Sequence, residues 1–254
     1  MARAPPLCLS AARPAARIPS MSSSSQPPSA LIIGASRGLG LGLAREYLAR
    51  GWSVVATVRG DARTGLHALA EQVAGRLAIE RLEITDPGRI GALRERLSAR
   101  AFDLLFVNAG VSNGRAETVR EVSTEDFVRV MVTNALSPLR VVEALHGLVR
   151  PEGTVAVMSS GLGSVSNNES GGWETYRASK AALNTLMRSF AARHADDPRS
   201  YAVVAPGWVR TDMGGPEAGL EVETSIRGVV NALAAQAGQR GLRYLDYQGK
   251  TVPW

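Results

Sequence analysis

Apolar positions along this chain follow two alternating periods from residue 30 onward. Short runs of strand character occupy Ala30–Ile33, Ser53–Val58, Leu77–Leu82, Leu104–Val107, Thr154–Ser159, Tyr201–Ala205 and Leu242–Tyr247. Segments of helical period fill the gaps, the longest covering Thr124 to Leu148 and Trp173 to Arg193. Strands separated by helices are joined by right-handed crossovers, which predicts a mainly parallel sheet covered on both faces. The expected fold is therefore α/β: one doubly wound domain over residues 30–254 with a seven-stranded sheet, no second domain and no fixed-period repeat. Ligands of such sheets bind outside the carboxyl ends of the strands, where the winding reverses. Gly34, Val58, Asn108, Ser160 and Pro206 fall at those ends.

Composition narrows the picture. With 254 residues, 45% hydrophobic and 20% charged, the chain can bury one substantial core. No run is long enough to cross a bilayer. The single cysteine, Cys8, precludes an internal disulfide and fits a reducing compartment, so a cytoplasmic location is expected. A net charge of +6 invites a polyanionic partner, but the arginines are scattered and no basic aromatic platform is present. The milder expectation is affinity for phosphorylated small molecules, with neither nucleic acid nor membrane as partner. Residues 1–29 differ: they are rich in Ala, Arg, Pro and Ser and lack any acidic residue. They read as a disordered extension, with an organelle transit peptide as the alternative and Met21 as a second candidate start.

Two motifs carry chemistry. Ala30-Leu31-Ile32-Ile33 feeds Gly34-Ala35-Ser36-Arg37-Gly38-Leu39-Gly40 and then a helical segment. In such a strand, turn and helix unit, glycines permit the sharp bend and close approach to a pyrophosphate, which the helix amides and positive dipole end receive. The spacing differs from G-x-G-x-x-G, and by itself the turn also reads as a plain tight connection. Downstream, Tyr176 and Lys180 stand four residues apart, so on a helix they leave one face. An ammonium one turn away favours the phenolate and would let the hydroxyl exchange a proton with a carbonyl or alcohol oxygen. Only two of the 29 cationic side chains are lysines, Lys180 and Lys250. A surface Tyr/Lys pair is the plainer reading of that motif alone.

Together and in this order, the motifs resemble those of the short-chain dehydrogenase/reductase family over nearly all of residues 30–254. The family's T-G-x-x-x-G-x-G turn falls on Ile33 to Gly40, with Ile33 in place of threonine. Its N-N-A-G segment falls on Val107-Asn108-Ala109-Gly110, with Val107 in place of the first asparagine. Asn134 matches a helical asparagine of the family, Ser160 its strand-end serine, and Pro206-Gly207-Trp208-Val209-Arg210-Thr211 its P-G-x-V-x-T segment. The ending Tyr247 to Trp254 looks like the carbonyl-reductase-like branch that includes C-factor and sniffer proteins.

The resemblance implies a single-domain Rossmann fold and an oxidoreductase that moves a hydride between a nicotinamide cofactor and a carbonyl or alcohol. Asn134, Ser160, Tyr176 and Lys180 would form the catalytic group: Tyr176 exchanges the proton, Lys180 supports the phenolate and binds the nicotinamide ribose, Ser160 holds the substrate oxygen, and Asn134 holds a water linking Lys180 to solvent. Ser159 and Ser164 compete with Ser160, because the stretch from Ser160 to Tyr176 is longer than in many relatives. The cofactor would lie along Gly34, Ser36, Arg37, Gly38, Leu39, Gly40, Arg59, Glu83, Ile84, Asn108, Ala109, Gly110, Tyr176, Lys180, Pro206, Gly207, Val209 and Thr211. Glu83 stands where aspartate is usual. Val58 occupies the place of an NAD-selective aspartate, and Arg59 follows it. With Arg37 inside the turn, this favours NADPH/NADP+ over NADH, because arginine suits a 2′-phosphate.

The substrate is expected to be a small aldehyde, ketone or quinone, or the corresponding alcohol, and Trp173 and Trp208 are candidates to border its pocket. A homodimer or homotetramer is compatible with the family. His67, His146 and His194 share no metal-ligand spacing, so no metal site is expected. A nucleotide-binding regulator on the same fold, and an isomerase or dehydratase, are the alternatives. The intact Tyr176/Lys180 pair argues against a pure binder.

Overall fold

The computed structural model describes residues 27–113 and 118–254. Seven strands, β1 Ser29–Ile33, β2 Ser53–Val58, β3 Leu77–Arg81, β4 Phe102–Val107, β5 Val149–Met158, β6 Ser200–Ala205 and β7 Gly241–Asp246, form one sheet in the order β3-β2-β1-β4-β5-β6-β7. Every pairing between these strands is parallel. The helices are α1 Gly38–Ala49, α2 Gly65–Gln72, α3 Pro87–Arg96, α4 Thr124–Met131, α5 Ser137–Leu145, α6 Glu174–Arg193 and α7 Val222–Gln236. Strand order runs outward in one direction from β1 to β3 and in the other from β4 to β7, so the winding reverses between β1 and β4. A crevice opens above the carboxyl ends of those two strands.

Strand side chains alternate between the faces, and both faces are buried. Leu31, Ile33, Leu105, Val107, Val155 and Val157 meet Leu183, Met187 and Phe190 of α6 on one side. Ala30, Ile32, Leu104, Phe106 and Val204 meet Leu43 and Tyr47 of α1 and Ile226, Val229 and Leu233 of α7 on the other. Burial on two faces is why these strands read as continuous apolar runs rather than as alternating ones.

All seven expected strands occur. β5 starts at Val149 rather than Thr154, its register with β4 shifting between Phe102 and Leu104. Pro151 and Gly153 hid that extension, since both residues ordinarily mark a strand boundary. β1 starts at Ser29, one residue inside the expected extension, and its amide donates to Asp103 Oδ2 at 2.7 Å. The rest of that extension, residues 1–26, lies outside the described residues. The long helix expected from Thr124 to Leu148 is divided into α4, a π-helical turn Val132–Leu136, α5 and a 3-10 turn His146–Leu148. Among the described residues no helix is long and apolar enough to cross a membrane.

Candidate active site

The glycine turn between β1 and α1 is shaped by close backbone contact. Gly34 is left-handed (φ +87°), and a Cβ there would stand 2.8 Å from the Cβ of Ala109, while a Cβ on Gly40 would run into the Gly34 carbonyl oxygen. Neighbouring strands pin the turn. The Gly34 N–H donates to Thr57 Oγ1 (2.9 Å), the Ala35 N–H to the Thr57 carbonyl (2.8 Å), and Asn108 Nδ2 to the Gly34 carbonyl (2.7 Å). At the start of α1 no side chain caps the helix and the first turn holds no acidic residue. Its free amides and positive dipole end therefore face the crevice ready for an anion. Ser36 and Gly38 are half-buried in this turn, and Leu39 packs against the core. The Thr211 methyl lies 3.6 Å from the place of a Gly38 Cβ, which puts the segment after β6 directly over the turn.

Two arginines flank it. Arg37 is exposed and its Nη1 reaches Asp212 Oδ2 at 2.6 Å, and Arg59 is exposed at the end of β2 with its Nε 4.0 Å from Glu83 Oε2. Glu83 turns its other oxygen to the amide (3.1 Å) and hydroxyl (2.9 Å) of Thr85. The Ile84 side chain is part of the core, so only its backbone is available to a ligand. Past β6, Pro206 is buried and its carbonyl accepts from Ser225 Oγ at 2.6 Å. Gly207 is exposed, Val209 is buried and bridges to Leu220, and Thr211 Oγ1 accepts from the Gly214 amide at 3.1 Å.

Tyr176 and Lys180 occupy the first two turns of α6, and the Lys180 ammonium lies beside Gly110. Lys180 is buried and its Nζ donates to the Met158 carbonyl at the end of β5 (2.9 Å), lying 5.8 Å from the centre of the Tyr176 ring. A Cβ on Gly110 would come within 3.2 Å of Asn134 Oδ1 and 3.4 Å of Lys180 Nζ, so a side chain at 110 would invade this cluster. Asn134 sits in the π-helical turn, completely buried. Its Oδ1 accepts from the Val111 amide (2.8 Å), and its Nδ2 donates to the Val111 carbonyl (2.8 Å) and to Ser179 Oγ (3.0 Å). Single π-turns inside helices mark functional sites often. Here the turn carries the amide that ties α4–α5 to the loop after β4. Both Nδ2 hydrogens are used, leaving Asn134 Oδ1 one lone pair for any further partner.

Among the serines, Ser159 is buried and donates to Asn184 Oδ1 (2.7 Å), and Ser164 is buried and accepts from the Asn167 amide (3.2 Å). Ser160 is half-buried, accepts from the Leu162 amide (3.1 Å), and faces the Tyr176 hydroxyl. Of the three it is the one directed at the tyrosine.

Electrostatics depart from the sequence expectation of a phenolate-favouring pair. Burial pushes the Tyr176 hydroxyl up to about 12, against the pull of Ser160, with Tyr244 raising it further. Burial likewise brings the Lys180 ammonium down to about 8. Desolvation therefore dominates at both groups, because each charged form loses its water on burial. At neutral pH the tyrosine is protonated and able to donate a proton to an oxygen beside it.

The structure also brings together residues the sequence kept apart. His146, His194 and Asp197 place one ligand atom each within 4.8 Å of one another, about 27 Å from Tyr176 by the rise of α6. Arg199 Nη1 contacts both Asp197 oxygens at 3.0 and 2.8 Å, which marks a paired carboxylate. Sequence reasoning passed over Thr57, Tyr244 and Arg177. Thr57, a polar residue inside the apolar run Ser53–Val58, was the readable signal. Tyr244, whose hydroxyl donates to the Ser160 carbonyl, gave no signal beyond its strand.

The sequence profile of the short chain dehydrogenase family matches residues 28–219. A short-chain dehydrogenase/reductase from Burkholderia multivorans, solved with bound NADP, is 59% identical with a TM-score of 0.88, covering 90% of this chain and all of that one. A carbonyl reductase from Pseudomonas aeruginosa in complex with NADP is 40% identical with a TM-score of 0.84 over the same shares of the two chains. The C-signal protein of Myxococcus xanthus is 40% identical over 157 residues, 60% of this chain and 92% of its own length. The family match and both solved structures span the glycine turn, the sheet that carries it and α6, and this chain belongs to the short-chain dehydrogenase family.

Proposed function

We propose that this chain is an NADP-dependent oxidoreductase that reduces an aldehyde, ketone or quinone to the alcohol, or runs the reverse. The observation that carries this reading is the convergence of Tyr176, Lys180, Ser160 and Asn134 beside an uncapped, glycine-lined helix start. The two similar structures bound to NADP support the cofactor, and one of them is a carbonyl reductase.

The residues fit a phosphorylated dinucleotide. A side chain at Gly34 or Gly40 would collide with neighbouring backbone and deform the turn, and the open amides of α1 suit a pyrophosphate. Arg37 and Arg59 would take the 2′-phosphate; Glu83, Ile84, Asn108, Ala109 and Gly110 would line the adenosine side; and Pro206, Gly207, Val209 and Thr211 would border the nicotinamide. When bound, NADPH supplies the hydride. Tyr176 gives its proton to the carbonyl oxygen as negative charge develops there, and Ser160 donates a hydrogen bond to the same oxygen. Lys180, where protonated, stabilises the phenolate left behind. Asn134 holds the loop after β4 in register with α6 and offers its last lone pair to water.

The test is NADPH consumption across a panel of aldehydes, ketones and quinones. Turnover with at least one class is expected. NADPH binding without turnover on any of them would favour a nucleotide-binding regulator instead.

A further inference from the structure

Trp173, the residue before α6, is held in the left-handed region at φ +54°, ψ +33°, directly after Gly171 and Gly172 at φ +62° and +68°. For a bulky side chain this backbone is a strained outlier, and such outliers concentrate at functional sites. Helix formation does not explain it, since Trp173 gives α6 no side-chain cap. Glycine would meet the same backbone requirement without strain.

The surrounding chain enforces the position. Arg177 is buried, and its guanidinium donates to the carbonyls of Gly172 (2.9 Å) and Gly171 (3.1 Å) and to Ser170 Oγ (3.2 Å). Its amide donates to the Trp173 carbonyl at 2.7 Å. These bonds fix three consecutive left-handed residues in front of the helix. The result is an indole set edge-to-face on the Tyr176 ring, centroids 6.0 Å apart and planes at 60°.

We propose that Trp173 determines substrate specificity, as an aromatic wall beside the proton donor that selects flat, conjugated carbonyl compounds such as aryl ketones and quinones over small aliphatic aldehydes. Aromatic faces pair favourably in offset or edge-to-face arrangements, and a rigid indole presents such a surface with little freedom to lose on binding. The inference rests on the proposed carbonyl reduction and deepens it.

Three variants test it: Trp173→Phe, Trp173→Ala and Trp173→Gly. Both small variants should lose at least 10-fold in kcat/KM for an aryl ketone relative to propanal, whereas Trp173→Phe should keep most of the preference. Trp173→Gly should melt about 2–4 °C above Trp173→Ala, because only alanine retains the left-handed penalty. The specificity change should nevertheless be the same in both, which separates the ring's role from the loop's stability. Equal loss on both substrate classes, or none, in active variants would overturn the inference alone. A wild-type protein that turns over no carbonyl compound would overturn the reading beneath it, and the inference with it.

Discussion

Lys180 carries a burden that its position explains. Its ammonium is buried against the Met158 carbonyl, and burial lowers its folded pKa to about 8 from the ordinary 10.5. Below pH 8 folded and unfolded states are both protonated and the full desolvation cost is present. Between pH 8 and about 10.5 the unfolded state binds more protons, so stability rises with pH. Above that range Tyr176 acts the other way, its folded pKa of about 12 exceeding the unfolded value. The expected result is that the melting temperature of Lys180→Met relative to the wild type falls between pH 7 and pH 9.5, as the wild type sheds its penalty and the variant has none to shed. Calorimetry at the two pH values checks this, and a constant difference would show that Lys180 is not desolvated in solution. The four-residue spacing announced which residues pair. It could not announce which effect wins between them, because desolvation depends on what Asn134, Gly110 and β5 pack around the pair.

At the scale of elements, the glycine turn, β2 and the segment after β6 converge on one crevice, and all three were legible in the chain. The turn residues are glycine for reasons of backbone approach, and the strand ends follow from apolar runs bounded by polar residues. The π-helical turn at Val132–Leu136 was not legible, because the apolar period continues through it and Pro138 is compatible with the first turn of α5. The pairing of Arg37 with Asp212 was likewise hidden, since the two are brought together only by the sheet. Both arginines are about four-fifths exposed, so replacing them perturbs no packing. Arg37→Gln combined with Arg59→Gln is expected to weaken NADPH binding roughly 10–100-fold and to leave NADH within about 3-fold, since a guanidinium matters only where a 2′-phosphate is present. Titration with both cofactors decides it. Equal weakening of the two would place the 2′-phosphate elsewhere.

For the molecule as a whole, alternation of two periods was enough to recover the doubly wound sheet, because the inner strands are sandwiched and each crossover contains a helix. The sequence before β1 is read by the same logic. Residues 1–20 precede β1 and contain no run of strand or helix period to dock on the sheet. A chain beginning at Met21 is therefore expected to melt within about 2 °C of the full-length protein, while a drop beyond about 5 °C would show that the segment packs on the domain. The central claim is that one fold brings a bound dinucleotide and a protonated tyrosine to the same carbonyl, and the most direct test is Tyr176→Phe measured for binding and turnover separately. NADPH affinity should stay within a few-fold, because the ring is retained, while carbonyl-dependent NADPH oxidation should fall by roughly 10²–10⁴-fold. Near wild-type turnover in the purified variant would contradict Tyr176 as the acid.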